Sequence, residues 1–362
     1  MCPYCDFAVT IAGEDRRAAW QKALHAEALM YADGGWAFDT VYFGGGTPSI
    51  LDLERLADVV NGLRSALCIN EKARYFLEIN PEDASIRRIR AWSDLGFTFA
   101  SVGLQSPDDG VLHFLGRRHS AEQGRLAIER LKEEHFRTVS ADLIFGLPGQ
   151  GPSDWRRQLE AVIQMGVDHI SCYQLTIHDG TIFGRRRRAG VLREAPDDIQ
   201  ADLYELTHAV LADAGFEAYE VSNFARPGHR SKHNQKYWKG VPYLGFGPGA
   251  HSFDGTSRRW WNRGKLRLWQ RDIEKGRWPL EDAEDLAAAD LAFEVLMLGL
   301  RQSDGVDLKA VECRWGVAVI DPNRLVIERL VDNGLITVLG TRIQPTMRGM
   351  AVADGLAREF EV

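Results

Sequence analysis

Cys2 and Cys5 form a C-x-x-C pair in the run Cys2-Pro3-Tyr4-Cys5-Asp6-Phe7. Thiolates at that spacing can hold a metal or cycle between dithiol and disulfide. Alone, the pair reads equally as half a zinc site, a thioredoxin-like couple or chance. A structural zinc site needs a second pair, which the sequence lacks. A redox couple is expected at a helix start after a strand. The other cysteines, Cys68, Cys172 and Cys313, make an odd total of five and no disulfide framework. That usage, with no signal peptide and no apolar run long enough for a bilayer, places the chain in a reducing, cytoplasmic compartment.

A second set of residues is punctuated by glycine and proline: GGGTPS at Gly44–Ser49, EINP at Glu78–Pro81, GLQS at Gly103–Ser106, LGRRH at Leu115–His119 and GLPGQ at Gly146–Gln150. Most of these follow β-rich runs. Each one singly is an ordinary β-to-α turn; together at matching strand ends they mark the face where such folds place their sites. A third set is basic and aromatic. Between Val221 and Phe253 there is no acid, while Arg226, Arg230, Lys232, Lys236 and Lys239 alternate with Tyr237, Trp238 and Tyr243. Such a mixture suits a flat anionic ligand, a tetrapyrrole with its carboxylates, or single-stranded nucleic acid. The net charge of −7 over 362 residues argues against nucleic acid. His233 and His251 are the candidate imidazoles in this stretch. A lone histidine in a basic loop is ordinarily a surface group.

The elements that must position these residues alternate. β-rich runs at Thr40–Phe43, Arg74–Ile79, Phe97–Leu104, Thr138–Phe145 and His169–Ile177 are separated by segments of helical period at Asp15–Tyr31, Leu53–Leu67, Ser85–Leu95, Ala121–Glu134 and Ser153–Met165. A further pair follows, helix Ala195–Ala214 and strand Glu217–Val221. The pattern predicts βαβ units and a parallel sheet. Arg185–Arg188 reads as a solvated charge run in a loop. A helix over Asp282–Leu300, helices near Leu308–Trp315 and Pro322–Asn333, and an LITV/TRIQ hairpin predict a winged-helix-like module from Asp285 onward.

Taken as an ordered set, CPYCDF, GGGTPS, EINP, GLQS, LGRRH, DLIFGLPGQ at Asp142–Gln150, CYQLTI at Cys172–Ile177, HNQKYW at His233–Trp238 and GFGPGAHSF at Gly245–Phe253 resemble the radical S-adenosylmethionine (SAM) superfamily. Within it they resemble the branch of oxygen-independent coproporphyrinogen III dehydrogenases and HemW-type heme chaperones, over nearly the whole chain. The resemblance implies an α/β fold, a partial (β/α)6 TIM-like barrel with a winged-helix-like C-terminal domain. It divides the chain into a barrel at 1–222, a basic aromatic connector at 223–284 and the C-terminal domain at 285–362.

It also implies a [4Fe–4S] cluster and SAM, with Cys2 and Cys5 as cluster ligands. Gly45, Gly46, Thr47, Glu78, Gln105, Arg117 and Asp142 become the SAM-contacting residues, and Arg118 competes with Arg117 for that assignment. The family loop is C-x3-C-x2-C. Its first cysteine would lie four residues before Cys2, ahead of Met1, as would the barrel's first strand, so an upstream start is expected. Phe7 stands where the dehydrogenases usually carry a further cysteine, and HNQKYW matches the HNxxYW element that HemW-like proteins associate with heme, which makes His233 the candidate iron ligand. His178-Asp179-Gly180-Thr181 occupies a stretch where relatives commonly read Glu-Pro-Gly-Thr. The function implied is binding heme and passing it to an acceptor protein, with an electron donor serving the cluster. The rival readings are a coproporphyrinogen III dehydrogenase of porphyrin biosynthesis and a remnant without a cluster, so enzymatic activity stays open and no catalytic residue is assigned.

Overall fold

The computed structural model describes residues 2–6 and 13–362; Phe7 lies outside them. The chain forms two compact units, one of residues 1–203, 245–251 and 261–282, the other of residues 204–244, 252–260 and 283–362.

The first unit is a parallel α/β layer. In chain order it contains α1 (Glu14–Met30), β1 (Ala37–Phe43), α2 (Leu53–Ala66), β2 (Cys68–Ile79), α3 (Ile86–Asp94), β3 (Phe97–Gln105), α4 (Asp109–Phe114), α5 (Ala121–Glu133), β4 (Thr138–Phe145), α6 (Pro152–Gln164), β5 (His169–Gln174) and α7 (Ile182–Arg188). The five strands lie side by side in sequence order, each neighbour pair parallel, which is what repeated right-handed βαβ crossovers produce. β4 is buried along nearly its whole length and β3 has no exposed residue, as expected for strands covered on both faces. Local chemistry sets the helix starts. Asp52 caps α2 through Arg55 N, Ser120 and Gln123 close a capping box on α5, and Pro152 opens α6. Leu56, Val59, Val60 and Leu63 of α2, and Ala127, Ile128 and Leu131 of α5, are buried at helical spacing.

The expected Arg185–Arg188 loop is helical instead. Thr181 caps α7 by accepting from Gly184 N at 3.0 Å, and Phe183 is fully buried, so one apolar anchor and one cap outweigh four charged side chains.

The chain continues with α8 (Asp197–Asp213), β6 (Glu217–Ala218), β7 (Asn223–Ala225), α9 (Lys232–Trp238), β8 (His251–Phe253), β9 (Arg258–Asn262), α10 (Leu266–Glu274) and β10 (Leu280–Asp285). The sixth strand is only two residues long and pairs antiparallel with β7. The helix expected over Asp282–Leu300 begins later: β10 runs to Asp285, and α11 (Ala288–Gly299) follows with Asp290 accepting from the Ala287 amide at 3.0 Å.

In the second unit α11 is followed by β11 (Val306–Asp307), α12 (Leu308–Trp315), α13 (Arg324–Asp332) and the hairpin β12 (Ile336–Leu339) and β13 (Arg342–Pro345). The sheet order β11-β13-β12 is antiparallel throughout. Helix, strand, two helices and a hairpin is a winged-helix arrangement. Its core is Leu296, Leu300, Leu308, Val311, Leu330, Ile336 and Ile343. Two short helices, α14 (Met347–Ala351) and α15 (Ala353–Ala357), complete it. Among the described residues no helix is long and apolar enough to cross a membrane.

Candidate functional site

Register brings polar side chains together at the C-terminal ends of β1 to β5. Glu78 lies beside Ser101 across β2 and β3, and Asp142 beside Ser171 across β4 and β5. Ser101 Oγ donates to both carboxylate oxygens of Asp142, at 3.1 and 2.9 Å. Tyr42 Oη donates to Glu78 Oε1 at 2.8 Å, and the Gly45 amide donates to Glu78 Oε2 at 3.1 Å. Burial raises the Asp142 pKa to about 7 against the hydrogen bonds from Ser101 and Ser171. Burial also raises that of Glu78, opposed by Tyr42 and Gly45. Carboxylates so placed are stabilised as anions by any cation brought beside them.

The GGGTPS loop is built for close approach. A Cβ on Gly44 would lie 2.4 Å from the Tyr42 ring and 2.6 Å from Glu78 Oε1, so only glycine fits. Gly45 has φ +95°, and no atom would come within 4 Å of a Cβ on Gly45 or Gly46. Backbone is thus presented to open space, a cradle for a ligand. Ser49 fixes the loop from behind: its Oγ donates to Asp83 Oδ2 at 2.7 Å and accepts from Asn80 N at 3.0 Å. Thr47 is the N-cap of the short turn Pro48–Ile50.

Arg117 and Arg118 part company. Arg117 turns inward: Nη2 donates to Asn80 Oδ1 and Gly103 O, each at 2.9 Å, and Nη1 to Cys2 Sγ at 3.5 Å. Its buried Nε has no partner. Burial opposes its charge, but Tyr4, Cys2 and Glu82 outweigh that and hold its pKa above the usual value. Arg118 points out and pairs with Glu82 at 3.2 Å. Gln105 follows a bulge in the β3–β4 pairing and has φ +63°, strained for a side-chain residue. That turn puts its amide beside Gly103, where a Cβ would lie 3.1 Å from Gln105 Nε2 and 3.2 Å from Arg117 Nη2.

The Cys2–Cys5 turn seats on this cluster. Gly116 (φ +66°) leaves room for Pro3, whose Cδ would be 2.8 Å from an added Cβ. Pro3 O accepts from Phe183 N at 2.9 Å. Both cysteines are free and half-buried. Cys172 lies near Asp142, and burial pushes its thiol well up, which unsuits it as a ligand; Cys68 is exposed and Cys313 belongs to the other unit. The described residues therefore supply two thiols of the right type for an iron–sulfur group and place no third beside them.

His233 belongs to the second unit, in the first turn of α9, which Ser231 caps through Asn234 N. His233 Nε2 lies 2.9 Å from Tyr237 Oη, one turn on. The rings of Tyr237, Tyr243 and Phe253 continue from it at 4.8 and 6.4 Å between centroids. Two arginines of the connector are spent on acids: Arg259 on Glu284 and Glu294, and Arg230 on Glu217 and Asp304. Lys232 and Lys239 carry no ion pair among the described residues. His251 stands in the first unit, stacked on Trp261 at 5.5 Å.

Over residues 1–174 the chain matches the model of the radical SAM superfamily, and over 286–352 that of the HemN C-terminal domain. It is 36% identical over 365 residues to a heme chaperone HemW of Mycobacterium tuberculosis, covering 99% of this chain and 90% of that one. The chain belongs to the radical SAM superfamily, in its HemW-like branch. Another member of the superfamily, a mitochondrial radical SAM domain-containing protein 1 from Bos taurus, is 32% identical over 98% of this chain and 83% of its own length. A solved coproporphyrinogen III oxidase (HemN) of Escherichia coli shares the fold, with a TM-score of 0.85 at 21% identity over 99% of this chain and 86% of that one.

Radical SAM proteins as a class imply a [4Fe–4S] cluster and SAM, and this chain's glycine cradle, raised carboxylates and inward arginine suit the second of these. Tyr42, Asn80, Ser101 and Ser171 were not singled out from the sequence. Asn80 lies inside a quoted motif, and Tyr42 two residues before one, but only the register shows what they touch.

Proposed function

We propose that this HemW-like chain binds heme at His233 and passes it to an acceptor protein, with SAM held at the strand ends of the first unit. The observation that carries it is the α9 imidazole, half-buried and joined to an aromatic ladder, on a stretch without acids. The ladder suits the apolar face of heme, and Lys232 and Lys239 suit its propionates. The relatives named as heme chaperones support the same reading over the full chain.

At the strand ends, the Gly45–Gly46 backbone and Thr47 would meet the methionine portion of SAM, and the inward guanidinium of Arg117 its carboxylate. Glu78 and Asp142 would accept from its ammonium and ribose hydroxyls. Gln105 adds an amide at the edge of the same space. Cys2 and Cys5 would ligate the cluster, which with SAM supplies one-electron chemistry when bound. A reducing, cytoplasmic setting keeps both thiols available.

Anaerobic heme titration read by Soret absorbance tests the proposal, comparing the wild-type chain with His233→Ala. Saturable 1:1 binding that weakens at least roughly a hundredfold in the variant, about 2.7 kcal/mol, is expected. Absence of saturable binding by the folded wild type sinks it. Carbon dioxide release from coproporphyrinogen III would put the dehydrogenase in its place.

A further inference from the structure

We propose that the first unit carries a further binding site between α4 and α6: a cleft of about 500 Å³ that takes a small neutral carbonyl compound, an amide or ketone on an apolar body. None of the residues assigned above to SAM, the cluster or heme lines it.

Its donors are two glutamines held by their oxygen ends. Gln150, the last residue of GLPGQ, and Gln158, on α6, both line the cleft, and each is only 8% exposed. Gln150 Oε1 accepts from the Gly146 and Leu147 amides at 2.8 and 3.2 Å, which fixes the end of the side chain that is oxygen. Its Nε2 is buried without a partner. Gln158 is oriented by a relay. The Asp108 amide donates to Ser106 Oγ at 3.0 Å, and Ser106 Oγ donates to Gln158 Oε1 at 2.8 Å. That leaves Gln158 Nε2 with no acceptor among the described residues. An unpaired buried donor is costly, and an acceptor brought in by a ligand removes the cost. A carbonyl oxygen has two lone pairs to offer.

The remaining polar groups decide against an ion. Arg157 is committed to Asp154, and Asp108 accepts from Val111 N at 2.9 Å. Neither sign of charge is free, and one guanidinium against two carboxylates repels an anion. A neutral acceptor is what the two amide groups can use. The walls suit its apolar body: Val111, Phe114, Leu147, Pro148 and Ala161 face the space. They are firm as well. Val111, Phe114 and Leu147 pack into the core around Phe183, and Asp154, Arg157, Gln158 and Ala161 repeat at helical spacing, so one stripe of α6 forms a side of the cleft. An apolar-walled hollow with a few fixed polar groups is the form small-molecule sites take.

Benzamide, acetophenone, cumene and benzoate test the proposal, since they have equal heavy-atom counts and differ in acceptor and charge. Titrated against the full chain by ligand-observed NMR, benzamide and acetophenone should bind saturably, about fivefold or more tighter than cumene or benzoate. Ala161→Phe fills the cleft from a partly exposed position and should abolish binding of both carbonyl probes. Gln158→Glu keeps an acceptor for Ser106 but removes the Nε2 donor, and should weaken both by about fivefold or more. Should circular dichroism show that this variant disturbs the fold, Gln158→Met takes its place with the same expected direction. Equal binding of cumene and benzamide, no saturable binding, unchanged affinity in the α6 variants, or displacement of the probe by SAM or heme would each overturn the proposal.

Discussion

The strand ends of the first unit and the α9 region of the second place functional side chains in opposite ways. At the strand ends, polar groups are buried and tied to one another: Glu78 to Tyr42 and Gly45, Asp142 to Ser101, Arg117 to Asn80, Gly103 and Cys2. Around α9 the ring of Tyr237 is exposed and His233 meets its neighbour one turn on. The first is rigid and preorganised, so its ligand meets groups already aimed. The second is a presented surface, fit for a cargo that must leave again. Tight geometry serves a resident cofactor, and openness serves transfer.

Gly44 offers the sharpest way to break that comparison. Gly44→Ala forces a Cβ into Tyr42 and Glu78, so it should cost about 2–3 kcal/mol of stability and abolish SAM binding. Gly46→Ala meets nothing and should change stability by less than about 0.5 kcal/mol while still weakening SAM. Thermal melts with equilibrium dialysis separate the two; equal melting losses would refute the rigid-cage account. Next in size, Arg117→Ala should lower SAM affinity about tenfold to a hundredfold, the range of a charged hydrogen bond. Arg118→Ala should stay within about twofold, since that side chain points to solvent.

Asp142 sharpens the contrast through pH. Its folded pKa of about 7 lies above the ordinary 3.8. Between those values the folded chain keeps a proton that the unfolded chain releases. Stability therefore falls as pH rises through that window. Asp142→Asn should flatten that part of the pH–stability curve, and an unchanged slope would deny that burial governs the group. The smallest effect is expected at α9. Tyr237→Phe removes one hydrogen bond to His233, so the heme dissociation constant should change about threefold to tenfold with an altered Soret position. A loss as large as that of His233→Ala would make Tyr237 a ligand in its own right.

Much of the first unit was legible because periodicity and punctuation agree there. The helices Leu53–Ala66 and Ala121–Glu133 and the strands Phe97–Gln105 and Thr138–Phe145 fall within a residue or two of their expected limits. β2 starts at Cys68, well before the expected Arg74, because its polar first half pairs with Ala37 and Phe38 rather than burying itself. α7 escaped because four arginines carry no apolar period. α10 escaped for another reason: Leu266, Trp269 and Ile273 repeat at helical spacing, but a basic and aromatic composition drew attention to ligands instead. At the site, residue types were readable and partners were not. Nothing in the sequence distinguishes Arg117 from Arg118; a bulge at Gly103 and the seat of Pro3 on Gly116 decide it.

One buried carboxylate has a consequence for synthesis of the chain. Glu27 on α1 is fully buried and accepts from Gly247 N at 2.8 Å, from Asn262 Nδ2 and from Trp269 Nε1 at 3.2 Å, partners 220 to 242 residues further on. A ribosome adding about 5–20 residues per second needs roughly 12–50 s to reach the last of them. Until then α1 carries an acid that lacks these three donors, and burial raises its pKa to about 7 in the finished fold. The first unit can close only after translation has passed Trp269, so ribosome-bound chains halted near residue 203 should stay protease-sensitive while those halted beyond the Trp269 exit point become resistant.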